Sequence, residues 1–133
     1  MQAKVMYLSD LKFNLETWRR ELRFHFDEMD TFQQKLEETA TRSFDQNGQK
    51  NLENFQNRIM IEKAAIAKLK HRCKNKLRNI HLADYNENID GRLLNEQSTL
   101  QEDMRTYLKM HYDLKEEMMD FFTQHLLEQQ ATN

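Results

Sequence analysis

Three histidines lie at positions where an imidazole could bind a metal ion or transfer a proton. His25 stands between two phenylalanines and ahead of three acids in the stretch RFHFDEMDTF, residues 23–32. His111 and His125 follow near the end of the chain, again beside apolar residues. Imidazole and carboxylate groups are the ligands that zinc sites and di-iron helical bundles share. A metal-binding bundle that uses His25 or His111 is therefore one function to weigh.

The spacing of the histidines does not match known metal motifs of helices. No histidine has an acid three positions before it, and neither His-x-x-x-His nor HExxH occurs. In a simple antiparallel stack residue 105 lies level with His25, which places His111 about 9 Å further along the axis. We therefore interpret the histidines as polar core residues that bond neighbouring carboxylates, Glu21 and Glu28 for His25. No metal site is expected.

Other residues suited to covalent chemistry are few. The three serines, at positions 9, 43 and 98, are not flanked by glycine, and two isolated glycines cannot form a phosphate-binding loop. Cys73 falls in an apolar pattern and is expected to act as a small buried hydrophobe. A single cysteine cannot form an internal disulfide, which fits the cytoplasm. We expect a protein that is not an enzyme and needs no cofactor.

Long helices must position these residues. The chain of 133 residues has no proline, two glycines and 32% charged residues, which is typical of one domain built from helices with few connections. Three stripes of residues at alternating steps of three and four each predict one buried face. The first seam is Leu8, Leu11, Leu15, Trp18, Leu22, His25, Met29, Phe32, Leu36 and Thr39; the second is Leu52, Phe55, Ile59, Glu62, Ile66, Leu69, Cys73, Lys76, Ile80 and Ala83; the third is Leu93, Gln97, Leu100, Met104, Tyr107, His111, Leu114, Met118, Phe121 and His125.

Two polar segments separate the seams. In FDQNGQKN, Gly48 suits the end of the first helix, and Asn47 or Asn51 suits the start of the second. The segment DYNENIDG supplies the second break. The sequence thus predicts an all-α, up-down-up antiparallel bundle of three long helices, at about 7–46, 51–84 and 89–130, in a single domain. In outline this architecture resembles that of spectrin-type three-helix repeats. Glu62 and Lys76 are charged, so neither is expected to be fully buried.

Charge is sorted by helix. Residues 50–81 carry a net +7, residues 84–133 a net −7 and residues 8–46 a net −3. Attraction between neighbouring helices explains this sorting without a partner. The alternative is a nucleic-acid or anionic-surface site on the middle helix. That site would use Lys63, Lys68, Lys70, Arg72, Lys74, Lys76 and Arg78. These residues surround the helix and have no aromatic residues among them, so nucleic acid is not the favoured partner.

Further apolar residues lie off the seams and predict an interaction surface. They are Met6, Phe13 and Phe24 on the first helix, and Leu108, Tyr112, Met119, Phe122 and Leu126 on the third. Such stripes either widen a core or form a contact surface. The favoured function is therefore a cytoplasmic protein-protein interaction or scaffold module without a transmembrane segment. It is expected to form a homo-oligomer, most simply a dimer, or to bind another protein through the same stripe.

Overall fold

Three helices make up the part of the chain that the structure describes. The structure is a computed structural model that describes residues 2–42, 44–83 and 87–132, with side-chain environments for 9–42, 44–81 and 97–125. Helix α1 spans Gln2–Ala40, α2 spans Gln46–Ala83 and α3 spans Glu87–Thr132. All three pairs of helices are in contact, and α1 and α2 share the most extensive interface. The predicted all-α three-helix bundle is confirmed.

The first connection lies earlier than predicted. Helix α1 ends at Ala40 and α2 begins at Gln46, so Asn47 and Gly48 lie inside the first turn of α2. Asp45 caps this helix, because its Oδ1 accepts a hydrogen bond of 2.7 Å from the backbone N–H of Gly48. A carboxylate at this position satisfies an amide that has no partner within the helix. The prediction that Gly48 ends α1, and that Asn47 or Asn51 starts α2, is therefore wrong.

Gly48 is instead required by close packing. A Cβ atom at this position would lie 2.5 Å from Cδ1 of Phe44. The Phe44 ring also stacks on Phe121 and His125, with centroid distances of 6.0 and 4.5 Å. Because Gly48 has no side chain, Phe44 of the α1–α2 connection can pack against Phe121 and His125 at this end of the bundle.

The three seams form the core. On the described side chains every seam residue is buried except Trp18, Phe32 and Phe121, which are half-buried. Glu62 and Lys76 are 0% and 6% exposed, so the prediction that they are not fully buried is wrong. The periodicity of the apolar pattern predicted burial more reliably than the charge of the individual residue did.

The apolar core is divided into two clusters. The first lies toward the start of α1 and contains Leu11, Leu15, Leu22, Ile66, Leu69, Cys73, Ile80, Leu100, Met104 and Tyr107. The second lies toward the α1–α2 connection and contains Met29, Leu36, Leu52, Phe55, Ile59, Leu114 and Met118. Seam residues His25, Glu62 and His111 fall between the two clusters, one from each helix. We call these three residues the polar layer.

Ion pairs between helices explain part of the charge sorting. Arg58 of α2 bonds Glu117 of α3 at 2.5 Å and holds the pKa of that carboxyl below its ordinary value. Lys63 bonds Asp30 of α1. Arg72 bonds Asp103 of α3 at 2.6 Å. The basic middle helix is thus paired with acids on both neighbours, although exposed pairs of this kind add only about 0–1 kcal/mol each.

Candidate functional site

The polar layer brings two histidines into direct contact. The rings of His25 and His111 stack with their centroids 3.8 Å apart and their planes inclined by 7°. The side chains of both residues are almost completely buried. Parallel stacking of two imidazoles in a bundle core is favourable only while the two rings do not both carry a positive charge.

His25 has contacts on α1 and α3. Its Nδ1 shares a hydrogen bond of 2.9 Å with the hydroxyl of Tyr107. Its Nε2 lies 3.9 Å from Oε1 of Glu21, one turn earlier on α1. The predicted carboxylate partners are therefore only partly correct. Glu21 is near, but Glu28 contacts the other histidine.

His111 lies between two carboxylates. Its Nδ1 lies 2.8 Å from Oε2 of Glu62, and both side chains are 0% exposed. Its Nε2 lies 3.3 Å from Oε1 of Glu28. The other oxygen of Glu28 accepts a bond of 2.5 Å from Nζ of Lys115. Residues from all three helices thus surround one imidazole ring.

Three buried atoms of this cluster have no hydrogen-bond partner among the described residues. They are Nε2 of His111, Oε1 of Glu28 and Oε1 of Glu62. The 3.3 Å approach of Nε2 to Oε1 of Glu28 does not have the geometry of a hydrogen bond. Buried polar atoms normally have a hydrogen-bond partner. A bound species or an added proton would give these three atoms a partner.

Burial sets the protonation of His25. It lowers the pKa of His25 from 6.5 to about 4, with His111 and Lys115 adding to the effect and Glu28 opposing it. Burial also raises the pKa of the Tyr107 hydroxyl well above its ordinary value. His25 is therefore a neutral imidazole and Tyr107 a neutral phenol at pH 7, which suits the hydrogen bond between them.

The expected axial separation of His25 and His111 is wrong. Tyr107 and His111 lie one turn apart on α3, and His25 contacts both of them. A seam residue packs between side chains from successive turns of its neighbour, so it reaches residues above and below its own level. The simple antiparallel stack also placed residue 105 level with His25, whereas Tyr107, which contacts His25, lies two positions later. A small shift in register, together with the contacts that His25 makes to successive turns of α3, brings the rings of His25 and His111 together.

His125 lies in a different environment. It stacks on Phe44 at the far end of the second apolar cluster, and its Nε2 has no hydrogen-bond partner among the described residues. It belongs to no group of potential metal ligands in the described part of the chain. The expectation that His125 lies apart from the other two histidines is confirmed.

The predicted interaction surface is partly exposed. Phe13, Phe24, Tyr112 and Met119 are 65%, 62%, 52% and 50% exposed. Leu108 and Phe122 are half-buried and pack against the first and second apolar clusters, so they do not point outward as predicted. The side chains of Met6 and Leu126 lie outside the described residues. The sequence reasoning missed three further exposed apolar residues, namely Met60, Ile61 and Met110.

The predicted basic residues do not share one environment. Lys63 and Arg72 form the inter-helix ion pairs described above, and Lys76 is buried. Lys68, Lys74 and Arg78 are exposed, and Lys70 is half-buried. A separate shallow groove on α1, which the sequence reasoning missed, is lined by Glu16, Arg19, Arg20 and Arg23.

Cys73 is a core residue. It is fully buried in the first apolar cluster, and burial raises its pKa to about 11. A thiol is nucleophilic as its thiolate, so at pH 7 this cysteine is unreactive. The prediction that it acts as a small hydrophobe is confirmed.

Comparisons with known proteins give no match. No protein-family model matches the chain, and neither the curated proteins nor the solved structures contain a significant relative. Within the described residues, no helix has a stretch long and hydrophobic enough to cross a bilayer.

Proposed function

We propose that this chain is a non-enzymatic, cytoplasmic interaction module that associates with a second copy of itself through α3. The observation that carries the proposal is the exposure of Tyr112 and Met119, at 52% and 50%, beside the half-buried Leu108 and Phe122. We call these four residues the α3 face. Exposed apolar side chains on one stripe of a helix are a common feature of protein contact surfaces.

The arrangement of charge supports a second copy as the partner. Asp113, Glu116 and Asp120 border the α3 face, are exposed and form no ion pair with another described residue. Lys68, Lys74 and Arg78 of α2 are likewise exposed and without an ion pair in the described part of the chain. Each copy therefore offers both an acidic and a basic surface. In a twofold dimer the two surfaces can meet twice, once on each side of the axis.

The experiment is a mass measurement of the full chain by light scattering during size-exclusion chromatography, in the presence of a chelator. We expect a particle of about twice the 16.2 kDa chain mass at high micromolar concentration. The variant Tyr112→Lys/Met119→Lys should weaken association at least tenfold. The matched control is Met60→Lys/Ile61→Lys, which places two charges at exposed apolar positions of α2.

Two outcomes would contradict this proposal. One is a monomer at every concentration up to ~100 µM, since a stable dimer has a dissociation constant well below that value. The other is an equal loss of association in both variants, because the α3 face would then have no special role. Circular dichroism of each variant confirms that the helices are intact.

Nucleic-acid or anionic-surface binding through α2 is the competing proposal. Four of its basic residues form no inter-helix ion pair with another described residue, namely Lys68, Lys70, Lys74 and Arg78. Titration of a labelled mixed-sequence oligonucleotide at ~50 mM salt tests it, because phosphate contacts are strongest at low salt. Binding that falls steeply with added salt would favour this competitor, whereas no binding would remove it.

A further inference from the structure

The environment of His111 resembles that of a metal ligand held by a carboxylate. In zinc sites, a histidine that binds the ion through one ring nitrogen commonly donates its other N–H to a carboxylate. Glu62 takes this role here, since its Oε2 lies 2.8 Å from Nδ1 of His111. In a neutral ring this contact places the proton on Nδ1 and leaves the lone pair on Nε2.

That lone pair faces an oxygen atom. Nε2 of His111 lies 3.3 Å from Oε1 of Glu28, and neither atom has a hydrogen-bond partner among the described residues. Two acceptors at this distance repel one another unless a positive species lies between or beside them. Lys115 offsets part of the charge of Glu28 through Oε2, and a proton or a metal cation at Oε1 would give the two unpaired atoms a partner.

His25 adds a third donor atom on the same side. His25, Glu28 and His111 each place one potential ligand atom so that all three lie within 4.8 Å of one another. Ligands of a tetrahedral ion bound at about 2.0–2.1 Å are roughly 3.3 Å apart. Closing the difference takes movements of about 1 Å, and one imidazole must also turn out of the parallel stack so that the lone pairs of both rings point at the same ion.

We propose that His25, Glu28 and His111 bind one divalent transition-metal ion of the zinc class, with Glu62 orienting His111. Two imidazole nitrogens and one carboxylate oxygen form a donor set that suits Zn²⁺ or Co²⁺ and does not suit Mg²⁺ or Ca²⁺. The two acids, Glu28 and Glu62, offset the charge of the ion. Lys115 opposes binding by its own charge, but it holds Oε2 of Glu28 and leaves Oε1 directed at the site.

The side between α1 and α3 gives the ion a route to the site. The side chains of Glu28 and Lys115 are 19% and 34% exposed there, whereas those of His111 and Glu62 are 0% exposed. The exposed ring of Tyr112 packs edge-on against both imidazoles, at centroid distances of 5.1 and 5.9 Å. A three-ligand site of this kind leaves a coordination position for water or an external ligand.

The alternative is a second proton on His111. An imidazolium between Glu62 and Glu28 would balance the same charges without a metal ion. The two explanations differ in a measurable way, because only a metal site binds Zn²⁺ with a defined stoichiometry and with ligand-field absorption when Co²⁺ replaces it.

The test uses the full chain, freed of metal by dialysis against a chelator and then against buffer. Calorimetric titration with ZnCl₂ at pH 7 should give one ion per chain with a micromolar or lower dissociation constant. Added CoCl₂ should give the visible absorption of tetrahedral Co²⁺, and excess MgCl₂ should not displace it. His25→Gln and His111→Gln should each weaken Zn²⁺ binding at least 100-fold. Glu62→Gln keeps a hydrogen-bond acceptor and should weaken it about 10-fold to 100-fold.

Two histidines serve as matched controls. His125→Gln removes a buried histidine and His71→Gln removes an exposed one, and neither should change the affinity by more than twofold. Circular dichroism establishes that each variant is folded. Absence of Zn²⁺ binding by the wild-type chain up to ~100 µM, or equal losses in the control and site variants, would overturn the proposal. Measuring the particle mass with and without Zn²⁺ shows whether metal binding and self-association depend on each other.

Discussion

Two buried histidines on the third seam occupy opposite kinds of surroundings. His111 lies in the polar layer, where Glu62 and Glu28 face its two nitrogens at 2.8 and 3.3 Å. His125 lies two heptads later and stacks on the ring of Phe44, at 4.5 Å. The same residue type at the same seam position is therefore part of an electrostatic network in one region and of an aromatic cluster in the other. Neighbours from the other helices decide which role a seam histidine takes.

Replacement of the two histidines by phenylalanine should separate these roles most clearly. His111→Phe leaves the buried carboxylate of Glu62 without its partner, so we expect a loss of about 3–5 kcal/mol in the free energy of unfolding. Urea denaturation at pH 7 in the presence of a chelator measures it. The control replaces the whole polar layer, as His25→Leu/Glu62→Leu/His111→Leu, and should recover most of the loss. A small loss for His111→Phe alone would mean that the contacts of His111 with Glu62 and Glu28 contribute little to the free energy of unfolding.

Acid should weaken the polar layer, because His25 is buried there as a neutral ring. Burial lowers the pKa of His25 from 6.5 to about 4, so between these values the unfolded chain binds more protons than the folded chain. Stability contributed by neutral His25 is complete above pH 6.5 and falls as the pH is lowered toward 4. The charged and titratable groups that face His25 are Glu21, Glu28, Tyr107, His111, Tyr112 and Lys115.

We expect a loss of about 2–3 kcal/mol between pH 7 and pH 4.5 that is attributable to His25. Urea denaturation of the chelator-treated chain at several pH values measures it, and His25→Gln is the comparison because glutamine does not titrate. Parallel pH profiles for the two proteins would show that other groups cause the acid sensitivity.

At the other region, Gly48→Ala should disturb the aromatic cluster. The new Cβ would lie 2.5 Å from the ring of Phe44, so the ring must move and its stacking on His125 and Phe121 is lost. Alanine favours the helix by about 1 kcal/mol, which offsets part of this cost, and we expect a net loss of about 1 kcal/mol. Phe44→Ala/Gly48→Ala removes the clash with the ring and leaves only the 3.0 Å approach to the Cβ atom of residue 44. In that background the glycine-to-alanine change should cost less than it does beside the phenylalanine.

The smallest effect is expected for His125→Phe. Its Nε2 is buried without a hydrogen-bond partner among the described residues, so an apolar ring of similar shape should be neutral or stabilise the bundle by up to about 1 kcal/mol. The thermal midpoint at pH 7 measures the change. A loss comparable to that of His111→Phe would mean that His125 has a polar partner of similar importance.

The fold could be predicted from the sequence because the seams are regular. Steps of three and four place Leu22, Ile66 and Leu114 in the core without any knowledge of the partner helix. The polar layer could not be predicted in the same way. Whether His25 meets His111 depends on register between helices, which a shift of a few residues changes and which periodicity within each helix does not determine.

The outer surface was the least predictable part. Leu108 and Phe122 lie off the third seam but still pack against the core, because a three-helix bundle buries more than one narrow stripe of each helix.

Asp45 was missed as the helix cap because FDQNGQKN contains several residues that could cap a helix. Tertiary contacts of Phe44 and Gly48 select among them.

The division of the core by the polar layer also bears on how the protein opens locally. Helix segments on either side of the layer are held by separate apolar clusters, one around Leu15 and Leu69, the other around Phe55 and Met118. Amide hydrogen exchange under native conditions should therefore resolve two cooperative units along these helices, each with its own opening free energy. Local unfolding that exposes one apolar cluster to solvent can then leave the other cluster folded.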